Sequence, residues 1–301
     1  MINIHESVKV GKNFTIKAEN VSIGKDVVLG DNFYFEGQSL HIGNMSHINK
    51  NFNAVCRRLS IGDNFYCMND VEIGRGGNRG EYSNVDIGNN VGIFDHVVIN
   101  SNSPVTIGDN CGIGSEVMIW THGAWLDVTQ GFPSDFGPVN ISHDVWLPAR
   151  CIVLPNTTIG ANSVIGIGSI INKNIPKGSL AAGSPCKVIK ENYYPREVNI
   201  DKIVKNILEK WKNIIKFKMN IDVQTRYQNG IITLIDNDLV WFNVKEKTTG
   251  RTRTALSEDL RDFLRRNGIK IYTDNHFKSI EKQYNTTVIT KDTLSEIFKS
   301  K

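Results

Sequence analysis

Residues 141–176 read ISHDVW LPARCI VLPNTT IGANSV IGIGSI INKNIP, and an aliphatic residue opens every group of six. The residues that recur at this spacing are Ile141, Leu147, Val153, Ile159, Ile165 and Ile171. A spacing of six fits neither the 3.6-residue period of a helix nor the two-residue alternation of a strand. It suits short strands joined by tight corners, in which each aliphatic side chain points into the axis of a coil.

The repeat extends toward the N-terminus through a recurring Ile-Gly pair. The pairs are Ile23-Gly24, Ile42-Gly43, Ile61-Gly62, Ile87-Gly88, Ile107-Gly108 and Ile159-Gly160. Gly and Asn accept positive φ at low steric cost, so we expect them to form the corners. The strands of a β-sandwich or barrel would alternate at period two, with turns every 8 to 12 residues. Six hexads in register do not show that pattern, which argues against either fold. The sequence therefore predicts a coil of short β-strands.

Two segments interrupt the repeat. Residues 75–84, RGGNRGEYSN, are rich in glycine and charge, and residues 121–140, THGAWLDVTQGFPSDFGPVN, break the register between Ile119 and Ile141. Loops that project from a rigid scaffold often carry function, so the second break is a candidate site.

Composition is that of an ordinary globular protein, with 40% hydrophobic and 22% charged residues in a chain of 301. There is no apolar run of about 18 residues and no apolar signal core at the N-terminus, so we expect a cytoplasmic protein without a membrane span.

The five cysteines form no CxxC pair, which predicts buried apolar residues and no disulfide framework.

The basic residues concentrate near the C-terminus. Residues 195–301 carry 21 basic and 14 acidic side chains, whereas the whole chain has a net charge of only +4. The pattern there predicts a small α+β domain over residues 191–301, with helices at 198–219, 254–267 and 293–299 and strands at 231–236, 239–244 and 269–274. Its arginines either attract an anionic substrate or form a solvated face; they are Arg251, Arg253, Arg261, Arg265 and Arg266.

Three further segments complete a family pattern: Trp120-Thr121-His122-Gly123, Asp144-Val145-Trp146-Leu147-Pro148-Ala149, and the run from Ala181 to Ile189. With the hexads they resemble the hexapeptide-repeat acetyltransferases, including galactoside, maltose and sialic-acid or capsule O-acetyltransferases. The resemblance covers residues 10–190. It implies an all-β left-handed parallel β-helix over residues 1–190, a homotrimer, and acetyl-CoA as co-substrate with no metal.

The resemblance also implies roles for individual residues. His122 matches the histidine that takes the proton from the acceptor hydroxyl, a task that suits an imidazole with an ordinary pKa of about 6.5. Trp146 matches a tryptophan beside the reacting centre, although a packing residue at a subunit boundary is an equal alternative. The N–H of Ala149 matches the donor to the thioester oxyanion, and Pro148 departs from the family's usual glycine there.

The coenzyme segment is implied at the C-terminal end of the coil. The resemblance implies that small residues here leave room for the pantetheine arm of CoA and that lysines bind its phosphates. The small residues and proline are Gly166, Gly168, Gly183 and Pro185, and the lysines are Lys173, Lys177 and Lys187. Asp95 and Asn100 lie one coil before His122, and we expect them either to bind acceptor hydroxyls or to serve as corner residues.

These features predict an acetyl-CoA-dependent O-acetyltransferase of a sugar hydroxyl, in surface polysaccharide biosynthesis, with no nucleic-acid partner. An acidic acceptor held by the basic tail domain is one form of this prediction. An aminosugar N-acetyltransferase on the same scaffold stays open. A γ-class carbonic anhydrase shares this fold but needs a His-x4-His element to bind its metal. The positions five residues before and after His122, 117 and 127, hold Val and Asp, so this function is disfavoured. A non-enzymatic scaffold would not need the histidine loop or the coenzyme segment.

Overall fold

The six-residue spacing places successive aliphatic residues on three sheets in turn. The computed structural model describes residues 1–74, 80–236, 238–250 and 253–283. Ile141 lies in the first sheet, Leu147 in the second and Val153 in the third, and the cycle then repeats. We call these sheets A, B and C, and we name each corner after the two sheets that it joins.

Sheets A, B and C are parallel except for the final strand of sheet B. Sheet A contains β1 (Ile2–Ile4), β4 (Asn20–Ile23), β7 (Ser39–Ile42), β10 (Arg58–Ile61), β13 (Asn84–Ile87), β16 (Val105–Ile107), β21 (Val139–Ile141) and β24 (Thr157–Ile159). Sheet B contains β2 (Lys9–Val10), β5 (Val28–Leu29), β8 (His47–Ile48), β11 (Tyr66–Cys67), β14 (Gly92–Ile93), β17 (Gly112–Ile113), β22 (Trp146–Leu147), β25 (Val164–Ile165), β27 (Leu180–Ala182) and β28 (Lys187–Lys190). Sheet C contains β3 (Thr15–Lys17), β6 (Tyr34–Glu36), β9 (Asn53–Val55), β12 (Glu72–Ile73), β15 (Val98–Ile99), β18 (Met118–Ile119), β23 (Ile152–Val153) and β26 (Ile170–Ile171).

The core is a set of aliphatic columns along the coil axis. Ile107 stands opposite Ile141, which stands opposite Ile159, and all three are at most 1% exposed. Phenylalanines form a separate buried column near the N-terminus, where Phe33 stacks on Phe52 with ring centroids 5.3 Å apart. The five cysteines are buried and free, as predicted. Burial raises the pKa of the Cys56 thiol to about 12, so it stays protonated.

The corners follow one rule, and it differs from the expected role of glycine. Positive φ falls on the residue two places after the Ile-Gly glycine, as at Asp26 (54°) and Asn64 (55°). The glycine itself is required because coils stack closely: a Cβ on Gly24 would lie 2.6 Å from Asn44 Oδ1. That side chain accepts the N–H of Lys25 at 2.8 Å, which ties one coil to the next.

The predicted parallel β-helix is thus confirmed, together with a small α+β unit after it. The chain divides into compact units over 1–197 and 198–301. The second unit has helices α1 (Ile200–Met219) and α2 (Ala255–Arg266) and an antiparallel sheet of β29 (Gln224–Gln228), β30 (Ile231–Asp236), β31 (Asp238–Asn243) and β32 (Thr248–Thr249).

Sequence patterns located α1 but not every residue of its buried face. The helical spacing of Ile203, Ile207, Trp211 and Ile214 predicts that they share a buried face, yet Ile203 is 43% exposed. The buried residues are Val204, Ile207, Leu208, Trp211 and Ile215. The Trp211 indole donates to Asp259 Oδ1 of α2 at 2.7 Å, so this face is fixed by a polar contact as well as by packing.

The second helix has Thr254 as its N-cap, with Ser257 completing a capping box. The strand expected at 269–274 does not form, and β29, which was not predicted, occupies a sheet edge. Ile271 is instead buried in the cluster that includes α2, and its carbonyl accepts from the buried Arg261 guanidinium at 3.1 Å. The helix expected at 293–299 lies outside the described residues.

We predict that Ile107→Ala lowers the free energy of unfolding by about 2 to 5 kcal/mol, because it leaves a cavity in the axial column. Thr106→Ala is the matched control, since Thr106 is the exposed neighbour on the same strand. Its effect should stay within about 0.5 kcal/mol in urea unfolding monitored by circular dichroism. Equal losses in the two variants would contradict the axial role of the hexad position.

Candidate functional site

His122 stands where the chain leaves the coil. Sheet C ends this turn at Ile119, and the chain then turns outward at the C–A corner into a hairpin of β19 (His122–Ala124) and β20 (Ser134–Phe136). Thr121 at its base is fully buried, whereas His122 is half-buried. The break in the hexad register therefore exposes one imidazole edge beside a rigid sheet.

Asn100 holds the other edge of that imidazole. Its Oδ1 lies 2.9 Å from His122 Nδ1 and accepts the Thr121 hydroxyl at 2.6 Å. Asn100 is 0% exposed at the end of β15, one coil before His122. This burial favours support of the histidine over the contact with an acceptor that the sequence suggested.

The hairpin presents an unusual amount of apolar surface. Phe136 stacks on the His122 ring with centroids 5.7 Å apart and planes 24° apart. Beyond it, Trp125 is 95% exposed. Other apolar side chains of this loop that are at least 43% exposed are Leu126, Val128, Phe132 and Phe136. A short 3-10 helix, Val128–Gln130, shapes the loop, with Asp127 as its N-cap.

Trp146 lies on the outer face of sheet B and is 42% exposed. Its indole covers Gly112 on the preceding coil, where a Cβ would come within 2.5 Å of Trp146 Cε3. Its ring also meets Phe94 edge to face at 6.3 Å. The glycine thus makes room for the tryptophan to lie flat along the sheet.

The B–C corner gathers most of the small residues assigned to the coenzyme. Ala149 lies there, and its carbonyl accepts from Gly168 N at 3.1 Å on the next coil. Its own N–H meets no acceptor among the described residues. Gly183 continues the row, since its carbonyl accepts from Ile170 N at 3.0 Å. Gly166 approaches Ala182, where an added Cβ would lie 2.5 Å from the Ala182 Cβ. Small residues therefore line this corner on three successive coils.

The charged coenzyme residues are more dispersed. Lys187 lies on β28 at the edge of sheet B, and Pro185 is exposed in the turn before it. Lys173 follows β26 at the C–A corner, and Lys177 lies at the A–B corner, both exposed. A single chain therefore does not bring the three lysines to one edge.

Asp95 behaves as a corner residue in this structure. Its Oδ1 accepts the backbone N–H and the side-chain amide of Asn69 at 3.1 and 3.0 Å. Beside this corner, the outer face of sheet C carries a cleft of about 420 Å³. Its polar lining residues are Asp70, Glu72, His96, Glu116 and Arg150, and its apolar ones are Val98, Met118 and Ile152.

One chain does not unite the predicted catalytic residues. His122 is at the C–A corner, whereas Ala149 is at the B–C corner, with the width of sheet C between them. Trp146 is on sheet B, the side opposite His122 in a three-sided coil. Within one chain, these three residues therefore do not line a common edge.

Sequence reasoning missed two neighbours of these residues. Gly112 was not singled out, although aligning the hexads across the 121–140 break would have placed it beside Trp146. Phe136 gave no such signal, because its contact with His122 depends on the pairing of β19 with β20 across a loop of irregular sequence.

The tail arginines are paired rather than freely solvated. Arg261 is fully buried and contacts Glu258 at 2.6 Å, and Arg265 contacts Asp262 at 2.7 Å. Arg253 pairs with Asp274 at 2.5 Å and Arg266 with Asp262 at 2.8 Å. Arg251 lies outside the described residues. These pairs weaken the argument that the arginines attract an anionic acceptor.

Within the described part of the chain, no helix has the length and apolar character needed to cross a membrane. The same residues contain no cluster of His, Cys, Asp and Glu side chains suited to holding a metal ion.

Fold and repeat define the chain as a hexapeptide-repeat β-helix protein. A galactoside O-acetyltransferase of Escherichia coli K12 is 35% identical over 130 residues, which are 40% of this chain and 64% of that protein. A putative acetyltransferase of Saccharomyces cerevisiae is 40% identical over 112 residues, which are 36% of this chain and 57% of that one. The chain thus spans less than two thirds of either relative. No family model matches.

Among solved structures, a galactoside acetyltransferase in complex with coenzyme A is 30% identical, with a TM-score of 0.37. The match covers 46% of this chain and 70% of that one. The curated relatives confirm the resemblance to hexapeptide-repeat acetyltransferases that the sequence indicated.

We predict that Gly112→Ala displaces the Trp146 indole, because the new methyl group would occupy ring space. The contribution of Trp146 to the near-UV circular dichroism is the spectrum with Trp146 minus the spectrum of the Trp146→Phe variant. This difference spectrum should change when Gly112→Ala is introduced into both proteins. Gly92→Ala, one coil earlier on the same sheet, is the control, since its nearest contact is an ordinary 3.7 Å. An unchanged Trp146 band in Gly112→Ala would refute this packing.

Proposed function

We propose that this protein transfers the acetyl group of acetyl-CoA to a hydroxyl of a sugar, with His122 Nε2 as the general base. The observation that carries the proposal is the half-exposed imidazole whose Nδ1 is held by a buried amide oxygen. That contact leaves Nε2 for the acceptor proton. The acetyltransferase relatives, one of them named for a galactoside, support acetyl transfer and a sugar acceptor.

The B–C corner supplies what the donor requires. Ala149 N–H is free of protein acceptors among the described residues and is the proposed donor to the thioester oxyanion. The pantetheine arm would run along Gly166, Gly168 and Gly183, where small residues admit it. Pro148 precedes this N–H and does not remove it, so the proline is compatible with the role.

The working unit is proposed to be a homotrimer with its sites between chains. The separation of His122 from Ala149 by sheet C supports this, because a neighbour's C–A corner can face the B–C corner. The apolar hairpin surface around Trp125 also suits burial against a second copy. In such an assembly, Lys173 and Lys177 of one chain would meet CoA phosphates held by another.

We place the sugar in the cleft on sheet C, which adjoins Arg150, the residue after Ala149. Its apolar floor and polar rim suit a sugar ring with its hydroxyls. Asp95, at the same corner, stays a candidate acceptor residue. A role in surface polysaccharide biosynthesis, an acidic acceptor and a cytoplasmic location stay predictions from the sequence.

We predict that His122→Ala lowers turnover by about 10² to 10⁴-fold and leaves acetyl-CoA binding intact. The assay supplies acetyl-CoA with a panel of neutral, acidic and amino sugars and follows free thiol release. His41→Ala, an exposed histidine on sheet A, is the control and should retain wild-type turnover. Transfer to amines in preference to hydroxyls would replace the proposal with N-acetylation.

Complementation tests the site between chains. Ala149→Pro removes the proposed oxyanion donor, and the turn tolerates proline because Pro155 precedes Asn156 (φ 60°) just as Ala149 precedes Arg150 (φ 60°). His122→Ala and Ala149→Pro should each be inactive alone. Random mixed trimers should recover about a quarter of wild-type activity, from boundaries that combine two intact halves. No recovery in verified mixed trimers would show that each site lies within one chain.

A further inference from the structure

We propose that Asn100 is a positioning residue that fixes His122 in its Nδ1–H tautomer, so that Nε2 is the basic nitrogen. The inference rests on the proposed function for its catalytic meaning, but the tautomer itself is a property of the folded chain. It replaces the acceptor-binding role that the sequence suggested for Asn100.

The orientation of the Asn100 amide follows from its partners. The backbone N–H of Asn102 points at the Oδ1 position from 3.3 Å, and a backbone N–H can only donate. The atom at that position is therefore oxygen, which assigns the amide from its hydrogen bonds. The Thr121 hydroxyl accepts from Ser103 N at 3.1 Å and donates to the same oxygen at 2.6 Å.

The oxygen in turn decides the state of the histidine. An amide oxygen offers only lone pairs, so the His122 Nδ1 at 2.9 Å must carry a hydrogen. A neutral imidazole has one N–H, which leaves the lone pair on Nε2. Phe136 stacks on the ring and limits its rotation.

The site thereby uses an amide where a carboxylate would fit. A carboxylate against Nδ1 would select the same tautomer but would also stabilise the imidazolium by its charge. Asn100 selects the tautomer without adding charge in a fully buried position. The hairpin also carries Asp127 and Asp135, and neither is hydrogen-bonded to the ring among the described residues. Among the described residues, Thr121 and Phe136 also contact Asn100 or His122, and both are uncharged.

Two substitutions separate tautomer from charge. Asn100→Asp keeps an acceptor oxygen and adds charge, so the tautomer should persist and the acidic limb of the kcat–pH profile should move up by about one unit or more. Asn100→Leu removes the acceptor at similar volume, so kcat should fall about 10-fold or more with KM for acetyl-CoA unchanged. Asn102→Asp places the same charge nearby and should shift the profile less.

The direct test is ¹⁵N NMR of histidine-labelled full-length protein, wild type and variants, with thermal melting to verify folding. We expect a protonated Nδ1 and an unprotonated Nε2 for His122 at high pH in wild type and in Asn100→Asp. In Asn100→Leu, this single tautomer should be lost. A wild-type Nε2–H tautomer, or unchanged tautomer and kcat in folded Asn100→Leu, would overturn the inference.

The two hypotheses fail differently. If the wild type transfers acetyl groups to no acceptor while the NMR result holds, the proposed function fails and the tautomer assignment stands. If transfer is observed but the NMR result does not hold, only the role of Asn100 fails.

Discussion

Stacking of one aliphatic residue from every hexad along a common axis is the constraint on which the rest of this structure depends. It fixes which residues face outward, because a shift of one position would turn the aliphatic columns toward solvent. It also fixes the corners, where backbone N–H groups are met by Asx side chains of the next coil, such as Lys25 N by Asn44. Each outward side chain therefore has a defined sheet and a defined height.

That regularity explains why the candidate site is divided. A strict hexad coil places residues seven positions apart on different corners. Ser115, whose carbonyl accepts from Arg150 N, lies at the B–C corner, and His122, seven positions later, lies at the C–A corner. The excursion at 121–140 moves the imidazole outward but leaves it at the C–A corner. The proposed homotrimer would bring the proposed base on one corner to the proposed N–H donor on another, and the exposed apolar side chains of the hairpin support that proposal.

The polar groups show the same division between local and distant causes. Asn100 and Thr121 are both fully buried, and a buried polar group is costly unless it is hydrogen-bonded. Their contacts with each other and with His122 therefore stabilise the fold and also position the imidazole. In the unit over residues 198–301, the Arg261 guanidinium donates hydrogen bonds to the Glu258 carboxylate and to the Ile271 carbonyl. Its charge is compensated within the unit, and a count of arginines overstated what is available to a ligand.

The sequence alone determined the coil, its interruptions and the candidate base, because a period of six and a loop at a break in register are local properties of the chain. Periodicity also located α1, although it misplaced Ile203, since the buried face depends on what packs against the helix. Tertiary structure decided the rest. Contacts between coils put Asn100 under His122 and Gly112 under Trp146, and a hydrogen bond joins the Ile271 carbonyl to Arg261 of α2. These contacts join residues 10 to 34 positions apart, and their partners are selected by the closed fold rather than by any neighbouring residue.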